Sequence, residues 1–508
     1  MFPSRREFIK NTALAAAGAG ALRTASLPAQ TTAPPFPGKF EPTWDSLSHY
    51  AAPDWFRDAK FGIFLHWGVY SAPAHANEWY PRLMYRRESP VFDWHRQHWG
   101  PQSMFGYKDF IPLFRAENWR PDECVELFKQ AGAGYIVPVG EHCDGFPMYD
   151  SHLTEWCAAK MGPRRDIVGE WARAIRNQHL KLGVSTHRNW HWSWYTYESG
   201  FDTVNPLYSG LYGAPHAPTK PIDNAPHEIL QIEPPAFLQD WYARTLEIVN
   251  SYQPDLLWLE WGVQAPEYEP YRKELAAYYY NRAEEMGKEV VLTYKGNAFP
   301  KGDAVMDVER GLLAEPQPLA WQTETSISWK SWGYIEDDSY KPASQILHEF
   351  IDAVSKNGNF LLNVGPKSDG TIPEAAVAIF RQIGAWMQVN GEGIFGTRPW
   401  KVFAEGPTRY KGGSFGEKQP IAFTPADVRF TKKKNSIYAI LMAWPEHEAR
   451  IKSMGLNSPG APRNIERVTL LGSDQTLRWQ QTADALVVGI PAAKPCDYAY
   501  TLKVALRD

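Results

Sequence analysis

The chain has 508 residues, 44% of them hydrophobic, with a formal net charge of −4 and 22 tryptophans. That is enough globular chain for one large domain and a smaller one, and a charge so close to balance excludes the basic field that would hold nucleic acid. At least half of the tryptophans are expected in a large aromatic core; the rest suit a cleft whose flat ring faces meet the C–H faces of a sugar.

Read from the N-terminus, residues 1–30 form a targeting segment. Ser4-Arg-Arg-Glu-Phe-Ile-Lys10 precedes an Ala/Gly-rich apolar stretch from Thr12 to Leu22, the twin-arginine export pattern with cleavage expected near Ala29. The stretch is too short and too rich in glycine to span a membrane well. The mature protein is therefore expected in the periplasm or secreted, without stable membrane insertion. Residues 31–54, with Pro34, Pro35 and Pro37, read as a linker.

Residues 55–395 alternate between short apolar runs and helical patterns. Strands are expected near 60–67, 134–140, 181–186, 255–260, 289–294, 304–309, 319–325 and 359–364, with helices between them. Runs that are apolar throughout fit strands buried on both faces of a parallel sheet. Arg120–Ala131 is a helix with Pro121 in its first turn and Gly132 as its stop. Asp166–Arg176, Phe237–Ser251, Lys273–Met286, Ala343–Ser355 and Pro373–Asn390 follow the same rhythm. The alternation predicts an α/β fold of the (β/α)8 TIM-like barrel type. Two long insertions, Ala72–Tyr107 and Tyr195–Pro235, follow strand ends; the first reads as a pocket wall and the second equally as wall or decoration. From 396 to 508 short alternating runs such as Ser436–Ala443 and Ala485–Ile490 predict a C-terminal antiparallel β-sandwich. The four cysteines, Cys124, Cys143, Cys157 and Cys496, match no zinc spacing.

Polar residues gather at the C-terminal ends of the predicted strands, the face on which such barrels place their chemistry. In Trp258-Leu-Glu260, strand alternation points Trp258 and Glu260 the same way. A carboxylate beside an aromatic ring in a half-buried site can attack a sugar's anomeric carbon or stabilise positive charge there. A second carboxyl must protonate the leaving oxygen. Asp307 and Glu309 share one face of strand six, and Glu309 lies closer to the mouth; Arg310 beside it reads as outward and structural, and Glu315 is a weaker candidate acid. His66, His142 and His187 sit at three strand ends and, with Glu78, Trp79, Glu141 and Asp144, can bind several hydroxyls. The histidines lie on separate strands without a metal-binding spacing, so no metal is expected.

At these residues the chain resembles the α-L-fucosidases of glycoside hydrolase family 29, from about Trp55 to Pro407. The resemblance is carried by Lys60-Phe-Gly-Ile-Phe-Leu-His-Trp-Gly-Val-Tyr-Ser71, Asn77-Glu-Trp-Tyr80, Glu141-His-Cys-Asp-Gly-Phe146 and Met161-Gly-Pro-Arg-Arg-Asp-Ile-Val168. Pro254-Asp-Leu-Leu-Trp258, Trp321-Gln-Thr-Glu-Thr325, Val354–Pro366, Asp369–Pro373 and Gly391–Trp400 continue it. It implies a retaining, exo-acting hydrolase that releases terminal α-L-fucose from fucosylated glycans, with a barrel, a C-terminal β-sandwich and no cofactor. Carried over by position, His66, Glu78, Trp79, His142 and Trp258 contact the sugar, His187 lies at the pocket wall, and Glu309 is the acid/base. Two positions depart from the family pattern. Glu260 stands where the family has an Asp nucleophile, and Cys143 replaces the second histidine of a pair. Three readings remain open on these departures: a fucosidase using Glu260 and Glu309, a related glycosidase with a different or modified glycone (a sulfated fucoside, for example) or an inverting mechanism, and a carbohydrate-binding protein that does not cleave.

Overall fold

A computed structural model describes residues 38–217, 233–417 and 421–507. The predicted targeting segment, most of the Pro-rich stretch that follows it and the middle of the second insertion lie outside the described residues. From Lys39 onward the chain forms one unit, and among the described residues no helix is long and apolar enough to cross a membrane.

Eight parallel strands close into a barrel: β1 (Phe61–Leu65), β2 (Tyr135–Glu141), β3 (Lys181–Thr186), β4 (Leu256–Leu259), β5 (Val291–Tyr294), β6 (Val305–Glu309), β7 (Trp321–Ser326) and β8 (Gly358–Val364), with β1 paired to β8. Each coincides with an expected strand to within a few residues. Phe64, Tyr135, Val137, Val139, Leu256, Trp258, Val291, Val305 and Leu361 form one buried cluster from six of the strands, the packed lumen of such a barrel. Leu257 and Leu259 belong instead to the cluster with the helices beyond β4, so alternation along β4 sends Trp258 inward. Gly62 is required where it stands, because a Cβ there would lie 2.4 Å from the Tyr135 ring.

Six helices pack around the strands: α1 (Pro121–Gln130), α2 (Ile167–Asn177), α3 (Pro235–Tyr252), α4 (Glu269–Glu285), α5 (Ala343–Ser355) and α6 (Glu374–Asn390). Proline opens α1 and α3, Asp166 caps α2 by accepting from the Gly169 N–H at 2.9 Å, and α3 stops at Gln253 in the left-handed region. No helix follows β5 or β6, where expectation had placed helical segments between all strands; the connections there are short and irregular.

The C-terminal part holds two antiparallel sheets. One has the order β13 (Ile465–Leu470), β16 (Tyr500–Leu506), β11 (Ser436–Leu441), β10 (Val428–Lys433), β9 (Arg398–Glu405); the other has β12 (Glu448–Ile451), β15 (Leu486–Gly489), β14 (Trp479–Gln481). Phe430, Leu441, Ile451, Leu486 and Val488 share the core between them, the packing of a sandwich. All four cysteines are free thiols.

A buried ion cluster ties this sandwich to the barrel. Asp352 on α5 accepts from Arg429 Nε of β10 at 2.6 Å and from Lys356 Nζ at 2.5 Å, with all three side chains fully buried. Removing the carboxylate strands two cations in a dry interface. Asp352→Ala is therefore expected to cost about 3–5 kcal/mol, read as a lower midpoint in denaturant unfolding; an unchanged midpoint would show that the cluster contributes nothing to the interface.

Candidate active site

The carboxyl ends of the strands enclose a cavity of about 250 Å³ lined by residues from most of the barrel. Eight of the residues singled out as catalytic or sugar-binding line it: Glu260, Glu309, His66, Glu78, Trp79, His142, His187 and Trp258.

One half of the cavity is built on charge. Lys295, the first residue beyond β5, is buried, and its Nζ donates to Glu309 Oε2 at 2.6 Å and Glu260 Oε1 at 3.3 Å and meets Glu324 Oε1 at 2.5 Å. It also lies 4.6 Å from the Trp258 ring centre, a favourable cation–π placement. Burial by itself would raise the Glu260 carboxyl. The Lys295 ammonium, a hydrogen bond from His187 at 3.2 Å and the Trp261 N–H at 2.6 Å outweigh it and hold the acid down at about 2. Glu309 Oε2 also accepts from the Trp261 indole N–H at 2.7 Å.

Glu324 behaves oppositely. It is 1% exposed, neither oxygen has a hydrogen bond, and burial pushes its carboxyl well up despite the nearby ammonium. Asp307 lies beneath, where it accepts from Trp258 Nε1 at 2.5 Å and Gln322 Nε2 at 3.0 Å; burial raises it to about 6. Asp307 does not line the cavity, so its part is to hold the Trp258 ring.

The other half is neutral. Burial lowers the basicity of His66, His142 and His187, in each case as the largest cause. His66 Nδ1 faces Asn363 Oδ1 at 2.7 Å, which fits donation there and leaves Nε2 as an acceptor. His187 fits donation through Nδ1 to Glu260 and acceptance at Nε2 from the Ser185 hydroxyl at 3.0 Å. His142 Nδ1 is buried without a partner. Uncharged imidazoles with spare donors and acceptors suit the hydroxyls of a neutral polyol. One nitrogen from each ring lies within 4.8 Å of the others, a set that can also hold a transition metal. Both His187 nitrogens are already engaged, however, and a metal on that ring would displace Glu260 or Ser185.

The walls come from the loops. Glu78 and Trp79, in the first insertion, line the cavity; Glu78 Oε2 accepts from the Trp332 N–H at 2.8 Å and Ser331 Oγ at 3.1 Å, and burial raises its carboxyl. Trp332 reaches the site because Gly365 lets the backbone of Gly333 and Tyr334 cross it closely; a Cβ at 365 would lie 2.4 Å from the Tyr334 nitrogen. Among its described residues the second insertion contributes nothing to the lining.

Some sequence expectations need correcting. Glu141 is not a hydroxyl ligand. The β2–β3 register shifts between Val139 and Glu141, the kind of bulge that re-aims a strand end, and Glu141 pairs with Arg188 at 2.7 Å and Arg244 at 3.4 Å. Asp144 accepts from the Tyr107 hydroxyl at 2.6 Å outside the cavity. Glu315 does not line the cavity. Arg310 is not an outward-facing residue: it lines the cavity, covers the Trp332 ring at 4.7 Å and pairs with Glu417 at 3.1 Å. Lys295, Glu324, Trp190, Trp261, Trp332 and Phe415 line the site unforeseen. The signal for Lys295 was present, a charged residue directly after an apolar strand. Nothing local marks Phe415, which lies more than a hundred residues further on.

The family model for α-L-fucosidase matches residues 28–392, and that for the α-L-fucosidase C-terminal domain matches residues 422–505. Tissue α-L-fucosidase of Bos taurus is 30% identical, covering 96% of this chain and 95% of its own. Plasma α-L-fucosidase of Homo sapiens is 30% identical, covering 91% and 92%. The Thermotoga maritima α-fucosidase solved in complex with fucose superposes with a TM-score of 0.73 at 28% identity, over 92% of this chain and all of that one. The similarity in sequence and fold runs along nearly the whole described chain, and the chain belongs to the α-L-fucosidase family of glycoside hydrolases.

Proposed function

We propose that the protein releases terminal α-L-fucose from fucosylated glycans with retention of configuration, using Glu260 as nucleophile and Glu309 as acid/base. The observation that carries this is the lysine shared by the two acids. Oxygens held at 3.3 and 2.6 Å by one Nζ are no more than about 6 Å apart, on the side of the ~5–5.5 Å spacing of retaining enzymes rather than the ~6.5–9.5 Å of inverting ones. The ionised state of Glu260 is that of a nucleophile.

In the first step Glu260 forms a bond to the anomeric carbon while the glycosidic C–O bond breaks and Glu309 gives its proton to the departing oxygen. In the second, Glu309 takes a proton from water, whose oxygen attacks the anomeric carbon and frees Glu260. The neutral histidines and Glu78 receive the hydroxyls of the sugar, and the Trp faces receive its C–H surface. Glu324, whose carboxyl burial pushes well up, is a second candidate donor; Glu309 is preferred because it stands at the strand end, open to the cavity, whereas Glu324 is the more deeply buried. The twin-arginine pattern in residues 1–30 supports export, with action on glycans outside the cytoplasm.

Three outcomes are expected. NMR of the first product released from an aryl α-L-fucoside shows the α-anomer; the β-anomer would establish inversion with Glu260 as a base. Glu309→Ala lowers kcat/KM on fucosylated oligosaccharides by roughly 10²–10⁴-fold and on an aryl fucoside with a good leaving group far less, while Glu324→Gln shows no such leaving-group dependence; the reverse pattern would transfer the donor role to Glu324. Lys295→Met removes the main charge that depresses Glu260, so burial raises that carboxyl. The acid limb of kcat/KM, which tracks loss of the ionised form as pH falls, then moves to higher pH, and an acid limb left in place would break the link between Lys295 and the nucleophile. Binding of fucose without turnover of any substrate would end the catalytic reading.

A further inference from the structure

The cavity is completed from outside the barrel. Between β9 and β10 the chain returns to the mouth and docks on the end of β6 and the residues that follow it. The Gly413 N–H donates to the Leu312 carbonyl at 2.8 Å, Phe415 N–H to the carbonyl of Glu309 at 2.7 Å, and Glu417 N–H to that of Arg310 at 2.9 Å. The approach is close enough that a Cβ on Gly311 would lie 2.0 Å from the Gly413 oxygen. Glu417 anchors the far end, half-buried and paired with Arg310, Lys341 and the Thr325 hydroxyl. Held between these anchors, Phe415 takes a φ of 58°, a backbone conformation unfavourable for a bulky residue and found mainly where surrounding contacts impose it for a purpose.

That purpose is legible in where the ring goes. Phe415 lines the cavity yet is 45% exposed, an unusual state for a residue fixed so tightly by its own backbone. Its ring lies 6.5 Å from that of Trp261, tilted by 27°. The Trp261 indole N–H is the group that holds Glu309 Oε2. The Phe415 ring therefore stands beside the ring that holds the proposed acid, at the wall of the same cavity.

We propose that Phe415, supplied by the connection between β9 and β10 and paired with Trp261, forms the subsite for the leaving group, a pyranose that lays its apolar C–H face on the rings. This rests on the proposed function and names the part of the substrate that function leaves open. It also gives the C-terminal part of the chain a share in specificity: it supplies a side chain for the second sugar, while the barrel supplies those for the first.

The test compares two substrates. α-L-Fucosyl fluoride carries no second sugar; the fucosylated oligosaccharide turned over best by the wild-type protein does. In Phe415→Ala the ratio of kcat/KM for oligosaccharide over fluoride is expected to fall by about tenfold or more, the size of effect that losing an aromatic contact produces, and in Phe415→Tyr the ratio returns towards wild type. An unchanged ratio in Phe415→Ala overturns the proposal, whether both substrates are unaffected, so that the ring touches no leaving group, or both fall together, so that the ring only shapes the mouth. A wild-type protein inert towards both substrates would instead overturn the parent reading as a fucosidase, an outcome separate from either of these.

Discussion

Four carboxyls, Glu260, Asp307, Glu309 and Glu324, converge on one ammonium at the mouth of the barrel. Fully ionised they would place three uncompensated negative charges in a space nearly closed to water, an arrangement no packing could hold. The structure resolves this in two ways. Lys295 bridges the strand ends of β4, β6 and β7 from its own place after β5, and burial pushes the Glu324 carboxyl well up while raising Asp307 to about 6. Charge then remains on Glu260, the proposed nucleophile, held at about 2. The same lysine fixes the geometry, because an ammonium that reaches both Glu260 and Glu309 sets how far apart they can stand.

The histidine side of the cavity answers to the opposite requirement. A second cation there would compete for Glu260; three imidazoles kept neutral by burial leave Lys295 as the organising charge. His187 is the joint between the halves, since its ring faces Glu260 on one edge and Ser185 on the other. The two departures from the family pattern fall on either side of this joint. Glu260 brings a longer side chain than aspartate, and its extra reach is restrained at both oxygens, by the Trp261 N–H and Lys295 on one and His187 on the other. Cys143 is buried at the cavity wall with its thiol pushed well up by burial, so it offers a sugar only a weak donor where an imidazole would offer a strong one.

What could be read in the sequence, and what could not, follows from range. The eight strands and the helices α1 to α6 were legible because each is a local pattern of apolar runs, caps and stops; strand alternation put Trp258 and Glu260 on one face, and only the closed barrel decides that this face is the inner one. The absent helices after β5 and β6 were not, since a short irregular connection has no signature beyond a lack of periodicity. Glu141 misled because it stands in a strand-end cluster, and only the bulge in β2 and the distant Arg188 and Arg244 decide which way it faces. β9, β12, β14 and β16 went unmarked because sandwich strands gain their stability from partners far along the chain.

Phe415 lies beyond any local reading for the same reason, and its position is the consequence of an omission in the barrel. Where β6 passes to β7 without a helix, the connection between β9 and β10 lies against the exposed backbone: Leu312 bridges Gly412 and Gly413, Tyr410 and Phe423 pack on the main core, and the Phe423 ring meets His348 of α5 at 4.8 Å. The buried Asp352–Arg429 pair fixes the sandwich to α5. A barrel with its full set of helices would not need this cover. Lacking two, it is sealed by chain from the C-terminal part, and the backbone bonds that seal it are made by Glu309, Arg310 and Leu312, the run that begins with the proposed acid. Loosening the connection therefore disturbs the carbonyl of Glu309, the proposed acid, which couples the seating of the sandwich to the geometry of that residue.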